Sequence, residues 1–269
     1  MGNLWKGFKE HRTFRFTSLL VILLIALVVL APVIAPYNPL EAVMKDANQA
    51  PSMAHLFGTD KLGRDVLSRI LYGGAYSLSS VLALVAIIFC VGTFLGLVAG
   101  YFGGLIDTVI MRVADMMISF PGVILAIAIA GIMGGSLVNA MIALTAVTWT
   151  KYARLSRSMV LKIRKRDFVD AAIVSGGTSS HILWTHIMPN VVPILVITAV
   201  SDIGAMMMEL AGLSFLGFGS QPPAPEWGLM LNEGRQQLQT APWLMVFPGL
   251  AIFISVVIFN LWGDALRDV

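Results

Sequence analysis

Long apolar runs broken by short polar clusters dominate the chain. A spanning helix needs roughly 20 mostly apolar residues, because each adds about 1.5 Å across a hydrocarbon core of about 30 Å. Six stretches meet that requirement, near 16–36, 75–101, 110–131, 136–153, 190–216 and 243–262. Gly134-Gly135-Ser136 predicts a tight turn between the third and fourth, which are then antiparallel. The fold class is therefore all-α integral membrane with six transmembrane helices. Residues 1–74 would hold an N-terminal segment, the first span and a long loop, and residues 75–269 a core of five spans.

The polar clusters set an orientation. With the N-terminus inside, thirteen basic residues fall on the cytoplasmic side, among them Lys6, Arg12, Arg112, Lys151, Arg157, Lys162, Arg166 and Arg267. Only five, Lys45, Lys61, Arg64, Arg69 and Arg235, fall outside. Cytoplasmic loops favour Lys and Arg, so the pattern predicts both termini inside. Tyr37–Gly74 reads as an extended outer loop with a short interfacial helix over Asp60–Tyr72. Gly217–Pro242 is too rich in proline to span as a helix and is expected to fold back as an outer cap.

Composition agrees. Hydrophobic residues make up 57% of the 269 positions, charged residues 12%, and the mean hydropathy is +0.83. Soluble domains carry about 25% charged residues, so lipid replaces water around much of this chain. A net charge of +3 does not imply nucleic-acid binding. Cys90 is the sole cysteine, lies in an apolar run, and has no partner for an intrachain disulfide. Phe16–Ala35 exceeds the 7–15 residues of a signal-peptide core, which favours an uncleaved span over cleavage after Ala31 or Ala35.

The cytoplasmic segment Lys151–Asn190 is too polar to span and too long for a turn. Phe168–Ser175 reads as a short helix, with Asp167 as N-cap or first-turn acid. Gly176-Gly177 breaks it, and Thr178 or Ser179 caps a second helix running to Met188. Pro189 and Pro193 then open the next span. Two short helices set at an angle are expected. A solvated basic connector is the plain alternative for the lysines and arginines alone.

The order Asp170-Ala171-Ala172, then Gly176, then His186 and Pro189, resembles the EAA loop of ATP-binding cassette importer permeases, with Asp170 where glutamate is usual. Gly58–Arg69, Arg112-Val113-Ala114-Asp115, Phe120-Pro121, Ser214-Phe215-Leu216-Gly217, Pro225-Glu226-Trp227-Gly228 and Asn260–Asp264 are similar to the second permease of dipeptide, oligopeptide and nickel importers. The resemblance covers nearly the whole chain. It implies a type I (MetI-like) importer permease fold in a bacterial inner membrane, with a coupling loop over 154–189. It implies pairing with a second permease, two ATPase subunits inside and a substrate-binding protein outside. Asp170, Ala171, Ala172, Gly176, His186 and Pro189 would contact the ATPase. The chain has no G-x-x-x-x-G-K-[ST] phosphate loop, so ATP and its magnesium fall to partner subunits, and no cofactor, metal site or catalytic residue is expected here. Asp202-Ile203-Gly204 and Met206-Met207 look closer to the nickel branch than to the dipeptide branch; peptides, nickel, metal chelates and glutathione-like compounds are the cargo classes implied.

Asp202 and Glu209 lie in the fifth span seven residues apart, on one face. Intramembrane carboxylates cost about 2.5 kcal/mol or more and face a bundle interior or a water-filled path. They read equally as a polar stripe along a translocation path, with Met206 between them, or as helix–helix hydrogen bonding. Asp115 is expected to pair with Arg112 or with a neighbouring helix. The rival function is an ion-gradient transporter using Asp202 and Glu209 as relays; an intramembrane enzyme lacks a nucleophile–base pair, since all four histidines lie outside the spans.

Overall fold

A computed structural model describes residues 11–268, and every regular element in them is helical. Helix α1 covers Arg12–Val29, and Ala31–Ile34 adds one further turn. Then follow α2 (Val66–Phe102), α3 (Gly104–Ile118), α4 (Gly122–Met133) and α5 (Leu137–Ile163). The remainder is α6 (Asp167–Val174), α7 (Ser179–Phe215), α8 (Trp227–Gly234) and α9 (Trp243–Arg267). Among the described residues α1, α2, α7 and α9 are long and apolar enough to cross a membrane, and the bent pair α3–α4 makes a fifth if counted as one span.

Three expectations change. The first concerns Asp60–Tyr72, which is not a separate helix. Asp60 Oδ1 accepts the backbone N–H groups of Leu62 (2.9 Å) and Arg64 (3.0 Å), and Gly63 takes φ +73°. That closes a tight turn, because a short side-chain acceptor competes with helix formation. Asp65 then caps α2 by accepting from Ser68 N at 2.8 Å, and the helix runs unbroken from Val66.

The second is the third span, which is broken. α3 and α4 meet at 93° across Ser119-Phe120-Pro121, where proline lacks a donor and drives its predecessor out of the helical region. The turn at Gly134, with φ +87°, lies where the paired glycines place it.

The third is the second short helix of the cytoplasmic segment. It does not stop at Met188 but continues into the span, so α7 is 37 residues long. Leu183–Ile187 is a single π turn, in which Met188 N–H reaches back to Leu183 O. The wider turn lies directly before Pro189, where a regular helix would set the ring against a carbonyl four residues back. Asn190 Nδ2 donates to His186 O at 2.7 Å, meeting one carbonyl beside the irregularity.

The chain forms two compact units. The first holds the described residues to Ala83, Ile129–Ile142 and those from Val200 on. Within it α9 packs on α1 and α8. α7 and α9 approach closely where Gly204 lies against the Asn260 side chain and Gly263 against Ser201. The second unit, Leu84–Ala128 and Ala143–Ala199, is joined by a glycine stripe. Gly92, Gly96 and Gly100 of α2 face Trp149 O, Ala153 O and Val160 of α5, so closely that a Cβ at any of them would overlap its neighbour. On the same α5, Arg157 pairs with Asp107 and Arg154 with Asp115, and just past its end Arg164 Nη1 donates to Tyr101 O at 2.8 Å. Asp115 thus pairs with the neighbouring helix.

Candidate functional site

α6 begins at Asp167, which is a first-turn acid; Arg166 occupies the N-cap position. The helix ends in a Schellman motif. Gly176 N–H donates to Ile173 O and Gly177 N–H to Ala172 O, both at 3.0 Å, while Gly176 adopts φ +82°. A Cβ on Gly176 would meet nothing within 4 Å, so the constraint there is the backbone angle and not space. Thr178 Oγ1 accepts from His181 N at 3.3 Å and caps α7.

Asp170 and Ala171 are exposed on α6, and Ala172 is half-buried. His186 is half-buried with its ring 5.7 Å from that of His181, and Pro189 is exposed. α6 hides only Val169. Phe168, Ile173 and Trp184 are exposed, and Val174 is 88% exposed. Sequence reading passed over these four side chains, although large apolar residues in an otherwise polar loop were the available signal. All four leave apolar surface uncovered on the described chain.

In the fifth apolar stretch, Asp202 and Glu209 are half-buried, and neither is without an interaction partner. Met206, on the same face by spacing, is only 5% exposed and belongs to the core.

The segments before α2 and around α8 are closed by buried charge. Asp60 Oδ2 accepts from Arg64 Nε at 2.7 Å and from Arg69 Nη1 at 2.6 Å. Glu233 of α8 takes Arg64 Nη2 at 3.2 Å and Arg69 Nη2 at 2.8 Å, and Arg69 is 2% exposed. Glu226 caps α8 through Gly228 N (2.9 Å) and Leu229 N (2.8 Å). Burial pushes its carboxyl above the usual range, against those two donors and the hydroxyls of Ser214 and Ser77, which favour the charged form. Trp227 lies against Gly73 and Gly74 and donates to Ile70 O at 2.9 Å.

The family model described as "Binding-protein-dependent transport system inner membrane component" matches residues 92–269. The chain belongs to that family. A second family model, the N-terminal TM domain of oligopeptide transport permease C, matches residues 1–51. Among curated relatives, the glutathione transport system permease protein of Pectobacterium atrosepticum is 41% identical, covering 98% of this chain and 88% of its own length. The dipeptide transport system permease protein of Alkalihalophilus pseudofirmus is 40% identical over 98% and 87%. The nickel transport system permease protein of Escherichia coli K12 is 42% identical over 93% and 91%. Two solved structures share the fold: an inward-facing MetNI methionine ABC transporter (TM-score 0.53, 19% identity, 72% of this chain and 94% of that one) and an amino acid ABC transporter with histidines (0.53, 16%, 76% and 95%). The protein is a multi-pass membrane permease subunit of an ATP-binding cassette importer. It is non-catalytic, and ATP is hydrolysed by separate subunits. This assignment decides against the ion-gradient transporter.

Proposed function

We propose that the permease crosses a bacterial inner membrane six times, with both termini in the cytoplasm, and forms half of a translocation path with a similar permease. α1, α2, the α3–α4 pair, the apolar half of α5, α7 and α9 would be the spans, and the excess of basic residues supports the orientation. In this arrangement α6 and the start of α7 project into the cytoplasm and couple the permease to its ATPase. Asp170, Ala171, Ala172 and Gly176 shape the contact, while His186 and Pro189 set the root of α7.

The observation that carries this reading is the pairing of a rigid, Schellman-closed helix with exposed Phe168, Ile173, Val174 and Trp184. A stiff helix bearing an uncovered apolar face suits a groove on a partner. ATP binding elsewhere would bias the permease between inward-open and outward-open states. Asp202 and Glu209 would line the path, with buried Met206 between them on the same helix face. The cargo would be small peptides or nickel and other metal chelates, handed over by an extracytoplasmic binding protein; relatives named for glutathione, dipeptide and nickel transport support this range.

Two measurements test the reading. In a Cys90→Ser background, Ser179→Cys should resist an impermeant thiol reagent in intact cells; ready labelling breaks the orientation. An Asp202→Asn, Glu209→Gln double variant should assemble with its ATPase yet transport poorly. Full transport would remove both residues from the path, and loss of the whole complex would make their role structural.

A further inference from the structure

The second unit contains an open cleft of about 630 Å³ between α5, the start of α6 and the lower part of α7. Its α5 wall consists of Leu155, Ser158, Met159, Lys162 and Ile163, and Arg166 follows at the α5–α6 junction. These positions recur at intervals of three and four, so they share one helix face. From Leu155 to Ile163 the face climbs about 12 Å. Along it apolar Leu155, Met159 and Ile163 are interleaved with polar Ser158 and basic Lys162 and Arg166, the two cations lying in its second half. Phe168 of α6 and Asn190 and Ile194 of α7 complete the lining.

Five of the cations on α5 and directly after it differ in how they are engaged. Arg154, Arg157 and Arg164 are engaged by Asp115, Asp107 and Tyr101 O. Lys162 and Arg166 are exposed, and neither has an ion-pair partner among the described residues. No carboxylate lines the cleft. Two uncommitted cations above an apolar trough fit an anion that carries hydrocarbon. A soluble anion would leave Leu155, Met159 and Ile194 unused. Of the apolar face proposed for the ATPase, Ile173, Val174 and Trp184 lie outside the cleft and only Phe168 lines it.

We propose that this cleft binds an anionic phospholipid of the cytoplasmic leaflet, its phosphate between Lys162 and Arg166 and its acyl chains against Leu155, Met159 and Ile194. Basic pockets between helices at the cytoplasmic interface are suited to such headgroups. Because Arg166 is also the N-cap residue of α6, the lipid would brace the root of the coupling helix. The inference rests on the orientation proposed above.

The test uses the assembled transporter, reconstituted in phosphatidylethanolamine doped with phosphatidylglycerol and then re-extracted in mild detergent. Wild type should retain phosphatidylglycerol selectively. Lys162→Gln with Arg166→Gln should reduce that retention by about tenfold or more, in line with the surface attraction of two cations. Lys165→Gln, outside the cleft, should match wild type, and Lys162→Arg with Arg166→Lys should restore retention. Equal retention of both lipids, or unchanged retention by the double Gln variant, overturns the proposal. So does saturable binding of inorganic phosphate that the double variant abolishes without any lipid selectivity. Loss of the ATPase with lipid retention intact would make the cleft a protein contact. The thiol-labelling result at Ser179→Cys separates a wrong orientation from a wrong cleft: outside labelling overturns the cytoplasmic-leaflet assignment as well as the orientation, whereas protection at Ser179→Cys without selective retention breaks only the cleft.

Discussion

Around Asp60, four charged side chains are packed away from solvent, while between Asp167 and Ile187 four large apolar side chains stand in it. Both segments are polar connectors between apolar helices. In the first, the buried charges find their opposites within the chain: Arg64 and Arg69 lie between Asp60 and Glu233. In the second, Asp167, Asp170 and the neighbouring basic residues stay in water, and it is Phe168, Ile173, Val174 and Trp184 that lack cover. A segment that satisfies itself is a finished structural element. One that leaves apolar surface outside is built for something else to complete. The coupling role proposed for the second segment is supported by this contrast more than by either segment alone.

The sharpest way to break the comparison is to unbalance the buried cluster. Asp60→Ala leaves two guanidinium groups sharing one carboxylate and removes the acceptor of the Leu62–Arg64 turn. Removing one partner of a buried pair costs about 3–5 kcal/mol. Thermal unfolding of the purified permease should shift accordingly, and a variant as stable as wild type would show that the cluster holds nothing.

In the other segment, Gly176→Val forces a β-branched side chain into φ +82° and should cost about 1–2 kcal/mol locally, with membrane insertion preserved. Far-ultraviolet helicity and expression level report the preserved fold.

Glu226 refines the picture of the capping segments. Glu226→Leu removes the α8 cap and should cost about 1 kcal/mol. Glu226→Gln keeps an acceptor and removes the buried charge. The folded carboxyl binds its proton more tightly than the unfolded one. Its contribution is therefore fully present below the ordinary carboxylate range and is lost as pH rises through the raised folded value. Melting curves should show the Glu226→Gln variant gaining on wild type as pH rises from acid towards neutral, and parallel curves would remove the linkage.

Val174→Ser should have the smallest effect on stability, within about 0.5 kcal/mol, because the side chain touches almost nothing. It should nevertheless weaken ATPase association.

The apolar runs behind α1, α2, α7 and α9 were legible because lipid demands them whatever their neighbours. The break at Gly176 was legible because a glycine pair after a short amphipathic run leaves few alternatives; its left-handed angle came from the structure. The ion cluster at Asp60 was not, since its second carboxylate is Glu233, 169 residues beyond Arg64. Nor was the π turn, because Pro189 reads locally as a helix start, and only the continuity of α7 shows that the chain widens a turn to keep going. The stripe of Gly92, Gly96 and Gly100 carried a readable four-residue spacing, but its role needed the opposing carbonyls of α5.

Co-purification of the ATPase with Gly176→Val and Ala172→Phe permeases, scored beside substrate-stimulated ATP hydrolysis in proteoliposomes, tests the coupling assignment most directly. Bulk at half-buried Ala172 should disturb packing by about 1–3 kcal/mol, and the altered backbone at Gly176 should misdirect the helix end. The account predicts permeases that reach the membrane and pair with their partner permease but bind the ATPase weakly or fail to stimulate it. Wild-type ATPase association and transport by both variants would contradict it.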